Sequence, residues 1–478
     1  MFKKLTSFIL AIVFLFSFFT LNISAKTVSK EDWGAYFSTL DNTQISITPG
    51  KNETELNFCW HSDLGLSAPK VRISKNADMS DYSEFSGYSK FSELIDQRTN
   101  NVTATGIEEN TTYYYTYGTN GEFSKPVSYR THSFDSLKFL FVSDVQPNYK
   151  SLSKMSLEEQ SYEWNKTLEA AFNNNDDISF IVNGGDITSH KDNTDEWTAF
   201  LAPEYLRSYP NATIMGNHDS AKLQYKSYFY NPNTYYGISP TTYGQGYWFR
   251  YGDVLFIMVN SFKKNFFDNH MLIKKAVEEN PDAKWRIAVS HIDPYGTGSH
   301  TFDDDELQAF KEQVVPAFDY YDIDLVLSGH DHIYGRSYFM KDDKVVETEG
   351  YNSGKVTDPE GIMYITATGS SGNSKVYTEE YREHTKSWLG MVKDEGRNDC
   401  YITIEITAEG ELEILVFDKV TGEKVDNFTI VKTDYNFEHE DTLGGVIGHY
   451  FKRIMGEYFV IFEMFGDLYK KISEIFFA

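Results

Sequence analysis

Cysteine is nearly absent from this chain. Two residues, Cys59 and Cys400, in 478 exclude a disulfide-framed fold and a thiolate zinc site. They fall in different predicted domains, so they either pair between domains in an oxidising compartment or stay buried as separate thiols. Basic residues are also short. Lys and Arg number 44 against 70 Asp and Glu, a formal net charge of −26. Such a chain repels nucleic-acid backbones and anionic lipid at long range, so no nucleic-acid partner is expected. If the substrate is a phosphate ester, the positive centre must come from somewhere other than a basic surface, and bound metal ions are one solution. A nucleophilic G-x-S-x-G motif and a dinucleotide fingerprint are both missing. "GSSGN" at 369–373 has no helix after it and reads as a turn, not a phosphate cradle. "FDDDEL", starting at Phe302, lacks the glycine and glutamate spacing of a calcium loop and reads as a helix N-terminus.

The only long hydrophobic run is at the start. Lys3 and Lys4 precede an apolar stretch from Phe8 to Leu21, and Ser24 and Ala25 then offer a cleavage site. Residues 1–25 read as a secretory signal, which predicts a secreted or cell-surface protein. The alternative is an uncleaved anchor. At the other end, 441–478 is aromatic with charges at roughly helical spacing. Glu463 and Asp467 break its most apolar part, so an amphipathic helical tail is expected rather than a membrane span. Such a tail either contacts a membrane or cell surface or packs on the body of the protein.

What is abundant is aromatic and β-branched. Aromatics are 16% of the chain and apolar residues 41%, enough for substantial cores. From 27 to 133, short runs such as "TQISITPG", "TELNFCWHS", "KVRISKN" and "TTYYYTYG" are separated by turn formers, predicting a β-sandwich. Tyr113, Tyr115 and Tyr117 alternate onto one face, and Trp60 is placed in the core. This segment is similar to a fibronectin type III module.

At Leu137 the pattern changes. "LKFLFVSD", "ISFIVNGGD", "ATIMGNHD", "WRIAVSHID" and "IDLVLSGHDH" are buried-strand runs ending in polar residues, with helical stretches over 157–173 and 304–320. Buried strands alternating with helices predict an α/β domain over 137–432. The β runs between 345 and 432 are assigned to its second sheet. Sites in such sheets lie at the C-terminal strand ends. There the sequence delivers Asp144, Asp186, Asn217, His218, His291, His330 and His332. Carboxylates and imidazoles suit first-row metals, and a carboxylate can bridge two of them. Two ions about 3.5–4 Å apart could hold a hydroxide and clamp phosphoryl oxygens.

This order of motifs, "GNHD" and "GHDH" above all, resembles the calcineurin-like metallophosphoesterase superfamily. With the preceding β module it is similar to purple acid phosphatases. The resemblance covers about 35–430. It implies a four-layer α/β/β/α sandwich after an all-β sandwich domain. It further implies a phosphate-monoester hydrolase with two divalent or mixed-valence ions (Fe, Zn or Mn), in which a metal-bridging hydroxide attacks phosphorus. Asp144, Asp186 and His332 would hold one ion. Asn217, His291 and His330 would hold the other, with Asp186 shared. His218 would contact substrate and protonate the leaving oxygen, and Asp219 would orient its imidazole. His300 is a further candidate for phosphate contact, Tyr295 for the pocket wall, and Arg336 for a carboxylate or the substrate. The chain departs from the family at two positions. Gln146 stands where many members have His, and Ser189 where purple acid phosphatases have Tyr. Gln146 is therefore expected either to coordinate through its amide oxygen or to hold a metal-bound water, His190 is a further candidate to reach in, and no tyrosinate absorption is expected. Rival readings are a phosphodiesterase or nucleotide hydrolase on the same scaffold, or a surface binding protein with an inactive metal site.

Overall fold

The computed structural model describes residues 28–433, apart from 66–67, 93–94, 151–152, 221–223, 238–245, 263–265 and 304. The expected export signal and C-terminal tail lie outside these residues. No helix among the described residues is long and apolar enough to cross a membrane.

The described residues begin with a helix, Lys30–Phe37, inside the segment expected to be all-β. Ser29 caps it by accepting from the Asp32 amide. Two β-sheets follow. One orders the strands Ser46–Pro49, Glu55–Ser62, Gln97–Thr105 and Tyr88–Ser92. The other is built on Pro69–Ser74 and Thr112–Thr119. The alternation of Thr112–Thr119 turns Tyr113, Tyr115 and Tyr117 inward, where Tyr115 meets Phe58 at 5.0 Å and Tyr117 meets Trp60 at 5.4 Å, both edge to face.

Two seven-stranded sheets then pack face to face. The first orders Asn211–Thr213, Phe180–Asn183, Leu137–Val142, Cys400–Ile406, Glu411–Asp418, Lys424–Val431 and Lys355–Thr357. The second orders Tyr247–Tyr251, Val254–Val259, Trp285–Ser290, Leu325–Ser328, Met363–Thr366, Gly335–Ser337 and Leu389–Val392. Rings interlock between them, Phe139 on Phe256 at 5.2 Å and Phe180 on Phe249 at 5.6 Å. The outer face of the first sheet is covered by the helices Leu157–Asn174 and Thr194–Leu201, that of the second by Phe266–Glu279 and Asp305–Tyr320. The result is the expected four-layer α/β/β/α sandwich.

One assignment needs correcting. The late strands do not all join one sheet. Met363–Thr366 pairs in parallel with Leu325–Ser328, whereas Cys400–Ile406 pairs antiparallel with Leu137–Val142. Strand pairing is non-local, and all of these runs are apolar enough to fit either sheet.

The β-sandwich grips the segment that follows the "GNHD" loop. Thr48 Oγ1 and Asn57 Nδ2 donate to the Tyr230 carbonyl at 2.8 and 3.0 Å, and Cys59 Sγ donates to that of Ser227. His61 Nε2 lies 2.7 Å from the Ser227 carbonyl as well. Cys59 and Cys400 are free thiols, both buried.

Candidate metal centre

The strands Leu137–Val142, Phe180–Asn183 and Asn211–Thr213 of the first sheet, with Trp285–Ser290 and Leu325–Ser328 of the second, run parallel within their sheets and end side by side. Each polypeptide turns sharply where its strand ends. Asp144, Gln146, Asp186, His330 and His332 all have φ between 36° and 73°, a region that side chains beyond Cβ disfavour. Backbone hydrogen bonds between neighbouring turns hold this strain: Asp144 N to Gly185 O at 3.0 Å, Gln146 N to Asp186 O at 3.1 Å, and Gly329 N to His291 O at 3.1 Å. The glycines of "GNHD" and "GHDH" have a plain cause. A Cβ on Gly216 would strike Asp186 Oδ1, and one on Gly329 would strike Ser143 Oγ and Asp144 Oδ2.

The side chains expected from sequence converge. Asp186, His291 and His330 offer ligand atoms that all lie within 4.8 Å of one another. Asn217 Oδ1 is 3.1 Å from His291 Nε2. On the other side, Asp144 Oδ1 is 3.3 Å from His332 Nε2. Asp186 stands between the two groups: its Oδ2 takes the Gln146 amide at 2.6 Å and faces His291 Nε2 at 3.3 Å.

Tautomers decide what this set can do. His291 Nδ1 lies 2.9 Å from the Gly184 carbonyl and His332 Nδ1 lies 2.9 Å from that of Asn373. A carbonyl only accepts, so each Nδ1 carries the proton. In the neutral rings both Nε2 lone pairs then face carboxylate oxygens at 3.3 Å. Lone pairs at that separation repel unless a cation stands between them. Asp144 Oδ1 and Gln146 Oε1 are, in addition, buried without a hydrogen-bond partner. These donors fit metal ions, and the Gln146 amide oxygen would be free to join them.

In the bare residues, protons take the place of those cations. Burial pushes the Asp144 carboxyl up to about 7, with the Asp186 charge adding to it. Burial would raise Asp186 too, but His291, His218 and His330 around it hold it below the usual carboxylate range. Against burial, Asp186 lifts His291 to about 9. Burial, then the Lys375 charge, brings His332 down to about 3. Burial, then His291 and His300, push His330 well below its ordinary value.

His218 lies at the edge of the centre. Its amide donates to Asp186 Oδ1 at 2.9 Å, and its Nδ1 is 2.8 Å from the Ser189 carbonyl, leaving Nε2 as the outward atom. His300 begins a short helix, His300–Asp303, and its ring centre is 4.3 Å from that of His330.

Three expectations are corrected. Asp219 does not touch the His218 imidazole: its carboxylate accepts from the amides of Gly216, Ile187 and Thr188 and from Thr188 Oγ1. It braces the loop that carries His218, because buried backbone donors take precedence over a half-exposed ring. His190 is turned to Glu196, 2.7 Å away. Tyr295 is buried against Tyr364 and donates to Asp343, so it is core and not pocket wall. Of the two partners expected for Arg336, the structure shows the carboxylate: it pairs with Asp426 at 2.7 Å and also bonds Tyr351.

Other functional positions carried no legible signal. Asn373 orients His332 through its carbonyl and clasps the Asp144 carbonyl through its amide at 2.9 Å, so "GSSGN" is part of the site after all. Buried Glu196 accepts from Ser189 N, His190 N and Asn148 Nδ2, tying two site loops together. Asp331 holds the amides of Thr297 and Gly298, both at 2.7 Å, next to His300. Tyr149 stacks on His332 at 5.8 Å and meets His218 edge-on at 5.3 Å. An aromatic after "SDVQPN" was the one available hint.

Fold and site together define a metallophosphoesterase. The chain carries a calcineurin-like phosphoesterase domain, matched over residues 137–334, preceded by a purple acid phosphatase N-terminal domain, matched over 42–131. These are families of metal-dependent phosphoric ester hydrolases. Among solved structures the chain is similar to purple acid phosphatase PPD1 from yellow lupin (Lupinus luteus) seeds, with TM-score 0.65 and 13% identity, covering 81% of this chain and 74% of that one. It is also similar to PhoD, with TM-score 0.56 and 12% identity, covering 87% of this chain and 98% of that one. At these identities the likeness is one of fold. No curated protein matches the sequence.

Proposed function

We infer that this chain is an exported phosphatase acting on small phosphate monoesters at a two-metal centre. The observation that carries the reading is the place of Asp186, a buried carboxylate between His291 and His330 on one side and Gln146 on the other. Asp144, Gln146 and His332 would hold one ion, Asn217, His291 and His330 the other, and Asp186 would serve both. Bound there, Fe, Zn or Mn ions would supply the positive centre for the phosphoryl oxygens and a water nucleophile near neutral pH.

The protein's own groups account for the rest. His218 keeps its Nδ1 proton on the Ser189 carbonyl and presents Nε2 to the leaving oxygen, to which it donates a proton. His300, beside His330, contacts the phosphoryl group. Ser189 gives its hydroxyl to the Gln146 carbonyl at 3.0 Å, so that position supplies no phenolate ligand and no tyrosinate-to-iron absorption is expected. Export rests on the signal-like residues 1–25.

The test is hydrolysis of an aryl phosphate by chelator-stripped protein with Mn, Zn or Fe restored, beside Asp186→Asn. Metal-restored turnover that vanishes in the variant supports the reading. A metal-loaded protein inert on every phosphate ester refutes it. N-terminal sequencing of the protein recovered from a secreting host tests export, with cleavage after Ala25 as the expected result.

A further inference from the structure

Glu196 is fully buried, and its place in the chain predicts a purely local use. Asn193 caps the helix Thr194–Leu201, and Glu196 stands three residues after that cap. A glutamate at this position ordinarily reaches back to the cap's own amide. Here that amide is taken by the His190 carbonyl at 3.0 Å, and the carboxylate reaches past the cap. Its Oε2 accepts from the amides of Ser189 and His190 at 2.9 and 2.7 Å. Its Oε1 accepts from Asn148 Nδ2 at 2.9 Å and Asn193 Nδ2 at 3.1 Å, and lies 2.7 Å from His190 Nδ1. A buried anion is costly unless donors surround it, and most of these donors belong to site loops rather than to the helix.

Two of the bonds lead to His218. Ser189, held by its amide, puts its carbonyl 2.8 Å from His218 Nδ1. Asn148, held by its side chain, precedes Tyr149, whose ring meets that of His218 edge-on at 5.3 Å. Asn148 has φ 76°, a left-handed turn that a side-chain tether can secure. One carboxylate thus anchors both the polar contact and the ring contact of the imidazole. The polar contact must last through proton donation. Once Nε2 has given its proton to the leaving oxygen, the ring keeps only the proton on Nδ1.

We propose that Glu196 is a positioning residue for proton donation, acting through Ser189 and Tyr149 to hold His218 with Nδ1 on a carbonyl and Nε2 toward the leaving oxygen. The inference rests on the phosphatase reading and on the acid role of His218.

The experiment compares wild type with Glu196→Gln and Asn148→Gly. Gln must turn a donor of its own toward the N–H groups, whereas Gly tolerates the left-handed turn and removes one tether only. In metal-loaded protein of measured metal content, kcat and KM are read on aryl phosphates with a poor and a good leaving group. Nitrogen NMR of histidine-labelled protein reads which nitrogen of the neutral His218 ring carries the proton, with signals assigned from His218→Gln. Glu196→Gln should lose about ten- to hundredfold in kcat on the poor leaving group, the cost of a misplaced group. The good leaving group, KM and metal content should change little, and the His218 proton should be shared between both nitrogens. Asn148→Gly should show a smaller loss, again confined to the poor leaving group, with the proton still on Nδ1. A wild-type leaving-group dependence and tautomer in Glu196→Gln overturn the proposal. So does loss of metal, or an equal loss on both esters, which a general support of the fold would give. If Glu196→Gln does not fold, Asn148→Gly decides, and an unchanged kcat on the poor leaving group overturns the proposal. If wild type hydrolyses neither ester, the phosphatase reading fails, while the tautomer still decides whether Glu196 positions His218.

Discussion

His218 Nδ1 rests 2.8 Å from the carbonyl oxygen of Ser189, the residue that stands where purple acid phosphatases place a tyrosine. Where the resemblance implied a tyrosine ligand, this position instead fixes the tautomer of the proposed proton donor. His218→Ala should retain its metals and lose about 10²–10⁴-fold in kcat on an aryl ester with a poor leaving group. The loss should shrink for a good leaving group, which needs no proton. An equal loss for both leaving groups would remove the acid role.

Gln146 bonds Asp186 through its amide nitrogen and points a buried, unpartnered oxygen into the site. Gln146→Ala should weaken retention of one ion by about 10–100-fold, the usual effect of losing a group next to a metal site. Gln146→His should strengthen it. Titration with a chromophoric chelator reads both, and two variants indistinguishable from wild type would show that Gln146 is no ligand.

Asp219 accepts four hydrogen bonds from the backbone and hydroxyl donors of two loops. In Asp219→Asn the amide must turn its own donors toward some of these N–H groups. A loss of roughly 1–3 kcal/mol in stability follows. Thermal unfolding measures it, and an unchanged midpoint would contradict the bracing role.

Metal removal should make stability pH-dependent. In chelated protein the Asp144 carboxyl, raised to about 7 by burial, holds its proton well above the range of an unfolded carboxylate. Its contribution is lost as pH rises through that value. His291, lifted to about 9 by Asp186 against burial, contributes stability below an ordinary histidine value and loses it as pH rises through 9. His330 and His332, both lowered, are neutral across this window. Chelated protein should thus melt lower at about pH 9 than at about pH 7, and metal should raise the midpoint more at the higher pH, where the ligands need less deprotonation. A metal-induced shift that is the same at both pH values would count against the assigned protonation states.

Burial pushes the Cys400 thiol up to about 12 and holds Cys59, which donates to Ser227, higher still. Neither should react with a disulfide reagent in the native state, and both should react after unfolding. The melting midpoint should not change with reductant. A protein that shows no free thiol after unfolding without reductant would overturn the unpaired assignment.

The sequence by itself determined the donors. Each ligand type stands at the end of a buried apolar run, because a strand must stop where its polar residues emerge, and that junction is local. Asp144, Asp186, Asn217, His291, His330 and His332 were therefore legible, as was the sandwich whose alternating tyrosines face one way. Only the tertiary structure decided how those donors are held. The carbonyls of Ser189, Gly184 and Asn373 choose the histidine tautomers, and a carbonyl has no letter in the sequence. Asn373 and Asp144 meet across 229 residues of chain, and the late strands divide between two sheets that their apolar pattern fits equally well.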